Sequence, residues 1–313
     1  MARPRPYPAM TQYSGPAGGT TAVDLSRLPF PAVIEVLSFD QIVASAKARL
    51  IELAPEVEPV LQDESEVLVK LIQLFAYREL NLRQRVNDAA KAMTLPYAIG
   101  ADLDVAAQPF ATRLVITPAN PLTGAPAVME SDEALRERAL LGPEGYSVAG
   151  PAGAYVSFAR AASGDVLDAS CVSPAPGQVL VTILARSGDG TPSQALLEEV
   201  RAYVAADDVR PLTDQVMVQA AEVTTFTVDA VIRTFTGPDS ALVLTEARRR
   251  LDAYLARSRR LGRDVTRAAL IAALCTDGVQ DVDLIAPAQT IVCSPTETAL
   301  CTGILISHGG AAE

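Results

Sequence analysis

The spacing of hydrophobic residues changes character twice along this 313-residue chain, and the changes divide it into segments. The first 37 residues show no period. Pro4, Pro6, Pro8, Pro16, Pro29 and Pro31 keep the backbone out of helix, and Gly15, Gly18 and Gly19 loosen it further. Arg3 and Arg5 are its only charges before Asp24. Such a segment is either a terminus without fixed structure or an extended arm that orders against a neighbour.

A helical period follows. Ser38 and Gln41 make a capping-box pattern that starts a helix over Phe39 to about Leu53, where Pro55 stops it. Pro59 and the acidic run Asp63, Glu64, Glu66 then open a long helix to about Met93, with acids at its positive end. Within it Leu68, Ile72, Phe75, Glu79, Leu82, Val86, Ala89 and Met93 recur at alternating intervals of four and three. That is a heptad seam interrupted once, by Glu79. About 30 helical residues reach roughly 45 Å, more than one small domain needs. The seam suits a core helix packed on the first helix, or a bundle with helices of other subunits. Short helices and loops fill residues 101–150, with helices predicted over Asp102 to Ala111 and Ser131 to about Leu141.

From residue 152 the pattern predicts α+β structure. A helix over Ala152–Ala162 precedes strands near Val166–Ser173 and Val179–Ala185. Thr191 and Pro192 start a helix to about Ala205, and a strand at Gln215–Gln219 closes this unit. Phe226, Val228, Ala230 and Ile232 then alternate with Thr225, Thr227, Asp229 and Val231, the mark of a half-buried strand. A long helix to about Arg257 and a shorter one over Thr266–Cys275 follow, then strands near Val279–Ile285, Thr290–Cys293 and Gly303–Ser307. A weak internal echo, with Val166, Asp168 and Pro174 matching Val279, Asp281 and Pro287, suggests two related α/β units in different element order.

Charge narrows the partners. A formal charge of −11 repels nucleic acid and anionic membranes. No apolar run is long enough for a signal peptide or a membrane span, so the expected origin is cytoplasmic. Against this acidic background Arg248, Arg249, Arg250, Arg257, Arg259, Arg260 and Arg263 cluster. They form a solvated face, a protein interface, or a nucleic-acid contact, and the interleaved Glu246, Asp252 and Asp264 weaken the last of these.

Candidate chemistry is sparse. Cys171, Cys275, Cys293 and Cys301 form no C-x-x-C pair and have no histidine beside them, so they read as reduced, buried thiols rather than a metal site. His308, the single histidine, lies near an expected flexible end and cannot hold catalytic geometry there. The Ser187-Gly188-Asp189-Gly190-Thr191 turn lacks the lysine of a phosphate loop. No catalytic, cofactor or metal residues are expected.

Several runs go further. Asp63-Glu64-Ser65-Glu66, Phe75-Ala76-Tyr77-Arg78-Glu79-Leu80, Leu82-Arg83-Gln84-Arg85-Val86-Asn87 and Gly100-Ala101-Asp102-Leu103-Asp104 closely resemble the baseplate J-like family of contractile-tail phages. So do Gly150-Pro151-Ala152-Gly153-Ala154-Tyr155, Gly188-Asp189-Gly190-Thr191, Asp208-Val209-Arg210-Pro211-Leu212-Thr213-Asp214, Arg260-Leu261-Gly262-Arg263-Asp264-Val265 and Cys301-Thr302-Gly303. The resemblance runs in order from about residue 60 to residue 307.

The resemblance implies a structural wedge subunit and no enzyme. Two copies would combine with a smaller tail I-type partner around a central hub, and a sheath-initiating baseplate protein would build on the platform. Neither nucleic acid nor membrane insertion enters. The subunit would assemble in the bacterial host cytoplasm and end in the baseplate, whose opening is coupled to sheath contraction. The same parts occur in R-type pyocins and other headless tailocins. Competing classes are another virion adaptor or binding module, or a tail-associated lysin.

The expected fold is α+β. It has an extended arm at 1–37, long helices at 38–150 forming an intersubunit bundle, α/β units at 151–221 and 222–308, and a tail at 309–313. The expected bundle interface is Leu68, Ile72, Phe75, Glu79, Leu82, Val86, Ala89 and Met93. The expected C-terminal interface is Arg248, Arg249, Arg250, Arg257, Arg259 and Arg260.

Overall fold

The computed structural model describes residues 35–146, 150–206, 209–237 and 239–312. These fall into two compact units, one of residues 35–112 with 132–136, the other of 113–131 with 137–312. Most of the expected arm lies outside the described residues. The architecture is α+β, as the sequence pattern predicts.

The helical unit is built on α1 (Phe39–Leu53) and α2 (Val67–Ala92). Ser38 caps α1 by accepting the Gln41 amide at 3.4 Å. α2 starts later than the acidic run suggests. Asp63 instead accepts the Ser65 amide at 2.8 Å and its hydroxyl at 2.7 Å, a local turn that competes with helix. Val43, Ala46 and Leu50 of α1 pack on Leu61, Val69 and Ile72. The backbone just before α1 is pinned to the far half of α2, since buried Asn87 exchanges two hydrogen bonds with Glu35 at 2.9 and 3.1 Å. α3 (Gly100–Ala107) follows, and Arg136 donates to the Leu95 and Ala98 carbonyls of the turn before it.

In the other unit, a small antiparallel hairpin of β1 (Val115–Thr117) and β2 (Val128–Met129) replaces the loops expected there. Gly164 lets it approach: a Cβ at that position would lie 2.6 Å from the Val115 carbonyl oxygen. α4 (Asp132–Leu141) has its first residues in the helical unit and the rest here. The division by contact therefore does not follow the expected boundary at residue 150.

Next come α5 (Ala152–Ala162), β3 (Val166–Val172), β4 (Gln178–Ala185), α6 (Gln194–Val204) and β5 (Gln215–Ala220). They form a mixed sheet of order β3-β4-β5, antiparallel on one side of β4 and parallel on the other. The cap of α6 lies two residues beyond the expected one, because Ser193 accepts the Leu196 amide and takes that role from Thr191. Tyr155, Val156 and Ala159 of α5 and Leu196, Val200 and Val204 of α6 share one apolar core with the sheet.

Ala221 alone separates this sheet from β6 (Glu222–Phe235). After β6 come α7 (Ser240–Ser258), α8 (Arg267–Leu274), β7 (Val279–Ala286) and β8 (Glu297–Ala312), giving sheet order β7-β6-β8. The middle strand again has one antiparallel and one parallel neighbour. The internal echo is thus a likeness of strand arrangement reached by a different chain order. Val228, Ala230 and Ile232 face inward as their alternation predicts, against Ala247 and Leu251 of α7 and Leu270 and Leu274 of α8.

Two expectations fail at the C-terminal end. The segment Thr290–Cys293 forms only an isolated bridge, Ile291 to Val265, since Ser294 and Pro295 turn the chain immediately afterwards. The expected tail continues β8 as far as Ala312 because β6 extends to Phe235 and supplies hydrogen-bonding partners along that length.

Ile232 is fully buried at the centre of this core, so Ile232→Ala should cost about 2–5 kcal/mol of stability. Urea unfolding checks it, and a loss below about 1 kcal/mol would show that the core collapses around the gap.

Candidate subunit interfaces

α2 presents two apolar faces, and its unit covers one. Val69, Ile72, Ala76 and Asn87 are buried, and Leu68 packs at the edge of their core. The rest of the heptad seam is open: Phe75 is 59% exposed, Leu82 65%, Val86 54% and Met93 84%. Glu79 and Ala89 are exposed beside them, and Leu71 and Leu74 widen the open face. Glu79 is held by Arg83 at 2.7 Å, and Arg83 also grips Glu35 at 3.2 Å. The polar interruption of the seam is therefore satisfied within the chain. Of the eight expected bundle residues, Ile72 belongs to the internal core, Leu68 to its margin, and six point away from it.

The expected arginine interface does not form one stripe. Arg248 pairs with Asp252 at 3.0 Å and Arg249 with Glu246 at 2.6 Å, both exposed on α7. Arg250 donates to the Cys275 carbonyl and Arg257 to that of Ala253. Arg259 and Arg260 turn inward instead. Arg259 donates to the Gly188 carbonyl at 3.0 Å, while Arg260 reaches the Leu167 carbonyl and both carboxylate oxygens of Glu137, at 2.9 and 2.7 Å. Arg259 thus reaches the turn after β4, and Arg260 the backbone of β3.

Arg260 belongs to a charged junction that sequence reading missed. Glu137 of α4 also accepts Arg160 of α5 at 3.0 Å. Asp168, an acid at a buried position of β3, accepts the Leu261 amide at 2.9 Å. Nearby Glu130 and Arg138 form a buried two-point ion pair, both bonds 2.8 Å. Leu184, Ala221, Leu261 and Leu167 supply the small apolar part of the junction, and Ser170 donates to the Pro295 carbonyl at 2.6 Å. The one available signal was Asp168 itself, because strands disfavour Asp unless something pairs with it. Its partners lie up to 93 residues away, so no spacing rule finds them.

Chemical groups are dispersed. Among the described residues, no three of His, Cys, Asp and Glu stand together as a metal site. The four cysteines are free thiols, Cys275 exposed and Cys293 buried, with burial pushing Cys171 up to about 11. His308 is not in a loose tail. It lies in β8 opposite Ile232, its Nε2 3.1 Å from the Thr234 hydroxyl. A cavity of about 230 Å³ between α7 and the second sheet is walled by Phe226, Leu255, Val265 and Ala299; its one carboxylate, Asp252, is taken by Arg248. Among the described residues, no helix is long and apolar enough to cross a membrane.

α2 leaves an apolar surface exposed, of the kind that packs against other proteins. Comparison with known sequences identifies the family. Three models match in order: the baseplate J-like N-terminal domain at residues 64–120, the central domain at 147–220 and the C-terminal domain at 226–307. The chain belongs to the baseplate J-like family. It is 44% identical over 299 residues to baseplate protein J of Escherichia phage P2, covering 93% of this chain and 99% of that protein. A solved structure of the anti-feeding prophage baseplate matches 57% of this chain and 42% of its own, at 17% identity and a TM-score of 0.35.

Burial holds the Asp168 carboxyl above its usual range, outweighing Arg160, Arg260 and the amide hydrogen bonds that favour its charge. An acid whose folded pKa is raised contributes stability that is complete below its unfolded value, about 4, and is lost as pH rises through the folded value. Asp168→Asn should therefore gain on the wild type as pH rises from about 4 to 8. Urea midpoints across that range test this, and a difference independent of pH would contradict it.

Proposed function

We propose that the chain is a wedge subunit of a contractile-tail baseplate, without enzymatic activity. In this reading it assembles in the bacterial host cytoplasm with a second copy of itself and a tail I-type protein. It then takes its place around the hub, beneath the sheath-initiating protein, and couples baseplate opening to sheath contraction. The observation that carries the reading is the open half of α2. Phe75, Leu82, Val86 and Met93 follow a heptad yet touch no core of their own. A monomer gains nothing from such a stripe, whereas a bundle of helices from several subunits buries it. Similarity over nearly the full length of the phage P2 protein supports the same role.

Leu82→Asp tests the bundle. The side chain is exposed in the subunit, so unfolding free energy should change by less than about 0.5 kcal/mol. In a closed bundle the same charge costs several kcal/mol, and particles should not assemble. A wild-type yield of complete tails would refute the bundle.

A second contact is proposed at the exposed arginines of α7. Exposed pairs contribute about 0–1 kcal/mol each, weak enough for a ring that must open. Reversing Arg248, Arg249 and Arg257 to Glu should leave the subunit folded, by thermal unfolding, but impair ring closure, and raised salt should weaken the contact likewise. Contractile particles at normal yield would reduce these arginines to a solvated face.

A further inference from the structure

Parts of two motif runs, 150–155 and 209–214, meet in one turn whose tip the fold leaves unused. Pro211 and Asp214 close the turn, the Asp214 amide donating to the Pro211 carbonyl at 3.2 Å. It is braced from outside. Tyr155 of α5, 2% exposed, donates its hydroxyl to the Asp214 carboxylate at 2.8 Å, and the Arg210 guanidinium donates to the Asp214 carbonyl at 3.2 Å. Gly150 lies flat against Pro211, since a Cβ there would come within 2.6 Å of the proline ring. The bracing presents one apolar side chain to solvent: Leu212 is 99% exposed. A lone exposed leucine says little, but one held on a rigid turn gives up little freedom when it enters a partner.

The same unit holds the apolar cavity of about 230 Å³ between α7 and the second sheet. Phe226, Leu255, Val265, Ala299, Cys301 and Ile304 wall it, and exposed Ala256 and Asp252 stand at its mouth. Its size suits a leucine side chain. Leu212 does not reach it within one chain. β5 separates the turn from the Ala221 link by 6 residues, roughly 20 Å. Arg259 in the cavity wall donates to the Gly188 carbonyl after β4, at the far end of the first sheet from Leu212. Complementary features at opposite ends of one unit make a head-to-tail contact between copies, which repeats into a ring or a filament. Charge agrees: Arg210 accompanies Leu212, and the Asp252 side chain stays 52% exposed despite its bond to Arg248.

Resting on the reading of a subunit that meets a second copy of itself, we propose that Leu212 of one copy plugs the cavity between α7 and β8 of the next.

Cys301 lines the cavity, so Leu212→Cys reads the contact directly. Mild oxidation of assembled particles should join the new thiol to Cys301 of another copy. The product is seen as dimers and longer multimers on a non-reducing gel, and as the linked peptides by mass spectrometry. Adding Cys301→Ala should abolish the link. A bond to a different polypeptide or to another cysteine, or a thiol that stays free in complete particles, would overturn the proposal. Leu212→Asp should lower particle yield severalfold with the urea midpoint unchanged, and Leu212→Met should keep normal yield. Normal yield from Leu212→Asp while the α7 arginine reversal blocks ring closure would sink this contact and leave the second-copy reading standing. If both variants assemble normally, the two fall together.

Discussion

A helix with apolar residues on two faces cannot bury both against one short neighbour. α2 has 26 residues, about 39 Å of helix, while α1 has 15 and covers chiefly its first half. Val69, Ile72 and Ala76 are enclosed, Asn87 fixes the far end to Glu35, and the second face stays open. Much else in the helical unit follows from that imbalance. The charges around the seam are arranged so that Glu79 costs nothing in the free subunit, because Arg83 neutralises it. Arg78 and Arg85 are left outward on the other border.

The α/β unit solves a different problem. Its two sheets are joined by one residue, Ala221, whose amide donates to Ile183 and so prolongs the first sheet's ladder. A one-residue link limits how far the sheets can move apart but does not by itself fix their angle. The fixing contacts are mostly ionic: Arg260 on Glu137, Arg160 on the same carboxylate, and Asp168 capping the Leu261 amide. A mainly polar junction with a small apolar patch resembles a contact between partners more than a core cut in two. Its buried charges are costly unless all are paired, which favours one arrangement over near alternatives. That is a useful property in a subunit that must present fixed surfaces to several neighbours.

Element type and order were legible in the sequence wherever periodicity was strong. α1 and α5 begin and end as Ser38, Pro55 and the 150–152 turn predict, and the inward residues of β6 follow their alternation. Local information misled where a side chain chose a different local partner. Asp63 folded back on Ser65 and delayed α2, and Ser193 displaced Thr191 as the cap of α6. The family was legible too, because its short motifs depend on local turns and survive in order along the chain.

The sequence by itself determined which residues are apolar, at what period, and hence that α2 carries a seam longer than one domain requires. Tertiary structure decided which part of that seam is internal, since exposure depends on where α1 stops. It also decided the fate of the arginine cluster. Arg248 and Arg260 look alike in sequence, but one is exposed on α7 beside Asp252 and the other meets an acid 123 residues away. His308, expected beside a flexible end, lies in an ordered strand for the same reason. Strand pairing and ion pairing are set by groups distant along the chain, and their geometry exists only once the fold brings them within reach.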